Sequence, residues 1–211
     1  MANTAALDGI NGLRDIRRSP ASHLAAAMDA GSIQGTVVLK EGLFQTMAGV
    51  RVDPRSEEGS RIAAVTGGLP AGCGDVGGTD RVTVLWLGPS EFLVVAPEEA
   101  HDSLGGDLIG SLVAALGDAP GQVVDLSANR TTFELSGPRA RAVLEKGCAL
   151  DLHPRSFTTG AALSTEVGNI PVVLQKTGEE SYRIFPRASF AEFLGRWLLD
   201  AMREFASPEV P

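Results

Sequence analysis

The chain has 211 residues, 44% of them apolar and 21% charged, with a formal net charge of −8. That size can bury a real core without disulfides or metals, and the composition is that of a folded globular protein rather than a disordered one. The negative balance repels phosphate backbones, which excludes nucleic acid as an expected partner, and two cysteines, Cys73 and Cys148, are too few for a disulfide framework and read as buried thiols in a reducing compartment.

Residues 1–20 read as an N-terminal arm, basic at Arg14, Arg17 and Arg18 and ending in Ser19–Pro20. Such a polar terminus orders best against a partner, so Arg17, Arg18, Ser19 and Pro20 are the candidate partner-docking residues. The first 30 residues carry no apolar segment of the signal-peptide kind. No run approaches the about 20 apolar residues of a membrane helix, so no membrane partner is expected and the cytoplasm is the expected compartment. A short helix follows the arm, with Ser22 as its expected N-cap and Leu24, Ala27 and Met28 on one face.

Strand signals begin near Gln34. Thr36–Leu39 is β-branched and apolar, Phe44–Val52 is looser, and Ile62–Thr66 reads as a strand or a helix end. Residues 67–79, GGLPAGCGDVGGT, form a glycine-rich loop. Arg81–Leu87 and Glu91–Ala96 flank the turn Gly88–Pro89–Ser90 and make a hairpin. A helix over Leu104–Leu116 places Leu108, Ile109, Leu112, Val113 and Leu116 at helical spacing, with Gly117 past its end.

The stretch Val123–Pro154 reads as a strand, a sharp connection, a second strand and a short helix. Over Arg130–Ser136, Thr131, Phe133 and Leu135 alternate with polar residues, which predicts one buried face and one wet face. Gly137–Pro138 opens the helix with Pro138 at its first position; Ala140, Val143 and Leu144 line its inner face and Gly147 ends it. Val172–Lys176 and Tyr182–Pro186 then form a second hairpin around Thr177–Glu180. The last helix carries an apolar stripe of Phe190, Phe193, Leu194, Trp197, Leu198, Ala201, Met202 and Phe205, and Ser189 with Glu192 has capping-box spacing.

Strand–turn–strand–helix thus occurs at 81–116 and again at 172–205, an internal repeat in pattern more than in identity. The predicted architecture is α+β: two plait-like lobes of antiparallel or mixed sheet with helices packed on one face. Residues 1–32 form the arm and short helix, and residues 33–211 a single domain of pseudo-repeated lobes over 33–118 and 119–211.

No catalytic set emerges. Gly72–Gly77 spells GxGxxG, but no strand precedes it and no helix follows to present N–H groups to a pyrophosphate. His23, His101 and His153 lack metal-ligand spacing, and His101 and His153 read as exposed or half-exposed residues near element ends. No GxSxG occurs. The acidic pairs Glu57–Glu58, Glu98–Glu99 and Glu179–Glu180 read as solvated loop or turn residues, and Trp86 and Trp197 as core anchors.

Several segments, in this order and spacing, carry a family resemblance: Arg17–Arg18–Ser19–Pro20; Trp86–Leu93; Asp125–Leu126–Ser127 with Arg130; Leu135–Ala140; Lys146–Gly147–Cys148 with Asp151–Pro154; and Ser189–Ala191 through Trp197–Leu198. Together they resemble the gamma subunits of heterotetrameric sarcosine oxidases. More distantly they are similar to the folate-binding aminomethyltransferase of glycine cleavage, whose fold of paired plait-like lobes the resemblance implies.

The resemblance implies a non-catalytic structural subunit in a complex with alpha, beta and delta subunits, packed on the folate-binding part of alpha. That complex oxidatively demethylates sarcosine to glycine with release of hydrogen peroxide, and the one-carbon unit passes to tetrahydrofolate. FAD, FMN, NAD, zinc and tetrahydrofolate would belong to other subunits, and no catalytic, cofactor-binding or metal-binding residue carries over to this chain. Some folate-binding relatives carry a functional cysteine in a Lys-Gly-Cys motif followed by an aromatic residue; Ala149–Leu152 follows here, so Cys148 reads as a small apolar residue. Asp125 reads as part of a strand motif shared for reasons of fold. The alternative that the distant similarity raises is a stand-alone folate-binding or aminomethyltransferase-like protein.

Overall fold

The computed structural model describes residues 16–206; residues 1–15 of the arm, Arg14 among them, lie outside the described residues. After a 3₁₀ turn at Ser22–Leu24, the elements are α1 (Ala25–Gly31), β1 (Val38–Gly42), β2 (Thr46–Arg51), α2 (Glu57–Thr66), β3 (Val76–Gly78), β4 (Thr83–Gly88), β5 (Glu91–Ala96), α3 (Leu108–Leu116), β6 (Gln122–Asp125), β7 (Thr132–Ser136), α4 (Ala140–Glu145), β8 (Ala162–Val167), β9 (Ile170–Gly178), β10 (Ser181–Pro186) and α5 (Ala191–Met202). The strands form two five-stranded sheets, β1-β7-β10-β9-β8 and β3-β4-β5-β2-β6. Every pairing is antiparallel.

The period-2 alternation of strand side chains sorts the core into layers. In the first sheet Leu39, Phe133, Leu135, Val172, Leu174, Tyr182 and Ile184 point to one face, where α1, α4 and α5 cover them. In the second sheet Ala48, Val50, Val84, Phe92 and Val94 point toward Ile62 of α2 and Leu112 and Leu116 of α3. The opposite faces meet through Met47, Leu85, Leu93 and Val95 on one side and Ala162, Val173 and Phe185 on the other. The result is helix–sheet–sheet–helix, α+β as expected, with helices on one face of each sheet. Strands covered on both faces need apolar residues at every position, which accounts for the unbroken runs in β5 and β9.

Sheet membership does not follow the sequence halves 33–118 and 119–211. The second sheet takes all its strands from β2–β6, whereas β1 crosses to the edge of the first sheet beside β7. β6 lies beside β2 in the corresponding edge position. Reading the first sheet as β8-β9-β10-β7-β1 superposes its order on β3-β4-β5-β2-β6. The repeat detected at 81–116 and 172–205 is thus the centre of a larger pseudo-symmetric unit completed by an edge strand.

Residues 62–66 are the end of a helix, the second of the two readings, and that helix is capped by Ser56 Oγ accepting from Gly59 N–H at 3.0 Å. Several local expectations are corrected. Glu57 and Glu58 sit in the first turn of this helix, where the helix dipole favours them, rather than in a loop. The glycine loop contributes β3, which pairs with β4. Leu104 ends a 3₁₀ turn and α3 begins only at Leu108. Pro138 lies in the turn before α4, whose N-cap is Arg139. Ser22 opens the 3₁₀ turn and makes no cap bond. The Ser189–Glu192 capping box does not form either: Ser189 is inside a 3₁₀ turn, and Glu192 bonds Arg196 Nε at 3.1 Å. Thr132 is buried along with Phe133, so β7 has no wet face at that end.

Strand β8 was not anticipated, although its signal is present. Gly168 and Asn169 both have positive φ, 57° and 64°, and connect the paired residues Val167 and Ile170 as a two-residue hairpin. Gly168 serves a second purpose: a Cβ there would stand 2.9 Å from the Trp197 ring, so the turn and α5 can meet only through glycine. The α5 stripe is buried along Leu194, Leu198, Ala201 and Met202, but Phe193 is 54% and Phe190 37% exposed. Phe133→Ala, opening a void in the first core, is expected to cost about 3–5 kcal/mol, and Phe193→Ser to change stability by about 0.5 kcal/mol or less. Urea unfolding of the two variants measures both.

Candidate subunit-docking face

Because β1 and β2 belong to different sheets, and so do β6 and β7, the chain passes between the sheets at residues 43–45 and again at 126–131. The two crossings lie against each other. Leu126 N donates to Met47 O at 2.8 Å, Ser127 Oγ accepts from Met47 N at 3.0 Å, and Thr132 Oγ1 donates to Gln45 Oε1 at 2.9 Å. Gly49 permits the approach, since a Cβ there would stand 2.9 Å from Leu126 Cδ1.

Glu41, at the end of β1, fastens the arm to this seam. Its carboxylate accepts from Ser19 Oγ at 2.5 Å, from Ala21 N at 3.0 Å and from Thr131 Oγ1 at 2.6 Å. Ser19 is buried by this contact, whereas Arg18 and Pro20 face solvent. Arg17 pairs with Glu98 and lies 4.2 Å above the Phe44 ring. Of the four docking candidates, then, Ser19 and Arg17 are engaged within the chain, and Arg18 and Pro20 remain presented. Beside them Leu43 is 57% exposed, and Ile16, next in sequence to Arg17, is 72% exposed. Arg17, Arg18, Leu43 and Phe44 share the walls of one shallow groove.

A cleft of about 430 Å³ opens at the seam between Arg18, Gln45, His101, Asp125 and Arg130. His101 Nε2 lies 3.0 Å from Asp125 Oδ2, and its Nδ1 lies 2.7 Å from Ser103 Oγ and accepts from Ser103 N at 3.2 Å. An Nδ1 that accepts a backbone N–H fixes the neutral tautomer with the proton on Nε2, donated to Asp125. Burial acts to raise the Asp125 carboxyl, but hydrogen bonds from Ser127 and His101 outweigh it and hold the group below its usual range.

Serine, imidazole and carboxylate in a row have the connectivity of a hydrolytic relay, which sequence spacing did not reveal. The arrangement is nonetheless that of a closed turn. Ser103 offers both its amide and its hydroxyl to the same nitrogen, so the lone pair a general base would use is already shared. Behind it Arg130 donates from Nη1 to Phe185 O at 2.9 Å. Burial, with the like charge of Arg187, disfavours its charged form.

The remaining sequence candidates lie elsewhere. The Gly72–Gly77 segment runs into β3, with no helix after it. Cys73 is exposed rather than buried, because it lies in that loop; Cys148 is half-buried, its Sγ 3.9 Å from Thr165 Oγ1. His23 stands 3.9 Å from Glu192, and His153 accepts at Nδ1 from Arg155 N at 3.2 Å. Among the described residues no group of His, Cys, Asp and Glu could hold a metal ion, and no helix is long and apolar enough to cross a membrane.

Residues 62–204 match the family model described as sarcosine oxidase, gamma subunit family. The chain belongs to that family. The sarcosine oxidase subunit gamma of Arthrobacter sp is 54% identical over 197 residues, covering 92% of this chain and 94% of the relative. That of Corynebacterium sp. (strain U-96) is 49% identical over 214 residues and covers 100% of both. A chain in the solved structure of heterotetrameric sarcosine oxidase from Corynebacterium sp. U-96 in complex with pyrrole 2-carboxylate superposes with a TM-score of 0.87 at 50% identity, over 93% of this chain and 100% of that one.

The glycine cleavage system aminomethyltransferase T from Bartonella henselae superposes at a TM-score of 0.59 and 17% identity, over 83% of this chain and 48% of that one. At that identity the likeness is one of fold, and it lends no support to a folate-binding role for this gamma-family chain.

Two substitutions test the seam. Glu41→Ala removes a charged acceptor of several bonds and is expected to cost about 2 kcal/mol in urea unfolding. The Asp125 carboxyl is lower in the folded than in the unfolded state, so its contribution is fully present above the ordinary carboxylate pKa of about 4 and is lost as pH falls through the folded value. Asp125→Asn is therefore expected to flatten the acid side of the stability–pH curve below about pH 4, read from unfolding midpoints taken stepwise down in pH.

Proposed function

We propose that this chain is the structural gamma subunit of a cytoplasmic heterotetrameric sarcosine oxidase, and that it contributes packing rather than chemistry. The observation that carries the reading is the superposition of 93% of this chain, TM-score 0.87 at 50% identity, on a chain of a heterotetrameric sarcosine oxidase. Its partners are the alpha, beta and delta subunits, chiefly the folate-binding part of alpha. FAD, FMN, NAD, zinc and tetrahydrofolate are held by those subunits, where sarcosine is oxidised to glycine and hydrogen peroxide is formed.

The docking face we assign is the arm groove: Arg18 and Pro20 on the arm with Leu43 at the turn after β1. It combines presented charge with exposed apolar surface, the mixture found at interface cores and rims. Because Glu41 fixes the arm to the seam, this surface is preformed, and little ordering cost is paid on association.

Co-expression with the other subunits, followed by capture of the tagged full chain, tests the proposal. The wild-type chain is expected to bring down the flavin-containing subunits, and Arg18→Glu combined with Leu43→Asp to weaken capture at least about tenfold. Val113→Asp, on an exposed position of α3, should leave capture unchanged. Oxidation of sarcosine by the purified chain with added flavin, or full capture by the double variant, contradicts the proposal.

A further inference from the structure

At the end of the first core, between β9, β10 and the start of α4, is a pocket of about 460 Å³ lined by Pro138, Arg141, Lys176, Glu179, Glu180 and Tyr182. Its inner wall holds two polar groups that the protein leaves incompletely partnered. Lys176 and Tyr182 are opposite each other across β9 and β10, at a register shift. Strand alternation puts residue 176 on the face of Val172 and Leu174, the helix-covered core. An apolar residue is the expected occupant there, yet Lys176 is only 3% exposed and Tyr182 1%.

The Lys176 ammonium donates to Phe157 O at 3.1 Å and stands 6.0 Å from the centre of the Tyr182 ring. It has three N–H donors, and among the described residues no carboxylate pairs with it. The Tyr182 hydroxyl is buried and has no hydrogen-bond partner among the described residues. A buried cation without a counter-ion and a buried hydroxyl without a partner are each costly. Both costs are relieved by one acceptor with two oxygens and a single negative charge.

We propose that this pocket binds a carboxylate, one oxygen on the Lys176 ammonium and the other on the Tyr182 hydroxyl. Arg141, held to Glu145 at 3.3 Å, adds positive potential at the mouth. Glu179 and Glu180 are exposed in the turn at the rim and disfavour dianions such as sulfate or phosphate. The carboxylate comes either from a free small acid or amino acid, or from an acidic side chain or C-terminus of a partner subunit. The two sources use the same two donors.

Tyr182 is the sole tyrosine of the chain, so one labelled ring resonance reports the site in the full-length protein. Acetate and glycine are expected to shift that resonance saturably, sulfate at equal ionic strength to leave it unmoved, and Lys176→Met to abolish the response. If acetate and glycine do nothing, but Lys176→Met, folded by circular dichroism, loses capture of the co-expressed subunits, the carboxylate is the partner's. That second arm rests on the gamma-subunit reading, whereas the first does not. Should Lys176→Met not fold, Tyr182→Phe measured by calorimetry is expected to bind acetate about tenfold more weakly, as loss of a hydrogen bond to a charged group implies. An equal response to sulfate, unchanged acetate binding by Tyr182→Phe, or neither ligand response nor loss of capture in Lys176→Met overturns the proposal.

Discussion

The exchange of edge strands between the sheets is the constraint on which the rest of the molecule depends. With β1 beside β7 and β6 beside β2, the backbone must pass between the layers twice, and both passages converge on one seam. Backbone groups in such a crossing cannot all join a strand ladder, and each buried one needs another partner. The Asp125–Leu126–Ser127 segment and Gln45 supply those partners, and Glu41 ties the arm to the same place. The seam is thus a set of polar groups that bond one another, with Arg130 Nε the exception among the described residues, and its closure lets two sheets with different helix layers share one inner core.

The layered core was legible because periodicity reports burial. The hairpins β4–β5 and β9–β10 and the helices after them follow from runs and spacings that packing on two faces requires. What resisted reading was decided by distant contacts. The turn between β8 and β9 carries a Gly-Asn hairpin signal, but β8 mixes polar and apolar residues and looks like a loop until its partner strand is known. The capping box at Ser189 failed because the chain leaving β10 needs a 3₁₀ turn there, bonded from Phe190 N to Arg187 O. Phe193 satisfies the helical stripe but lies at its margin, where no element covers it. The sequence halves misassign β1 and β6, since strand exchange leaves no trace in composition.

The structure divides the four arm residues that the sequence singled out. Ser19 is an anchor to Glu41, and Arg17 is held by Glu98 and Phe44, which leaves Arg18 and Pro20 exposed beside Leu43. A basic patch does not announce which of its members are used internally, because that depends on acids far along the chain. The string Ser103–His101–Asp125 was equally invisible, as its carboxylate comes from β6 and its other members from the loop after β5. Lys176 was the opposite case: a charge at the fourth core-facing position of β9, after Ile170, Val172 and Leu174, is a break in pattern that the sequence displays openly.

The polar groups of the seam are not arranged as those of an active centre. An active centre keeps donors and acceptors free for a substrate and shifts their pKa values to suit proton transfer. At the seam the reverse holds: His101, Asp125, Ser127, Glu41 and Thr131 bond one another or the backbone, and Asp125 is driven further into its ionised form rather than toward a proton-donating one. Three buried polar atoms lack a partner among the described residues: Arg130 Nε behind these groups, Gln175 Oε1, and the Tyr182 hydroxyl at the far end of the first core.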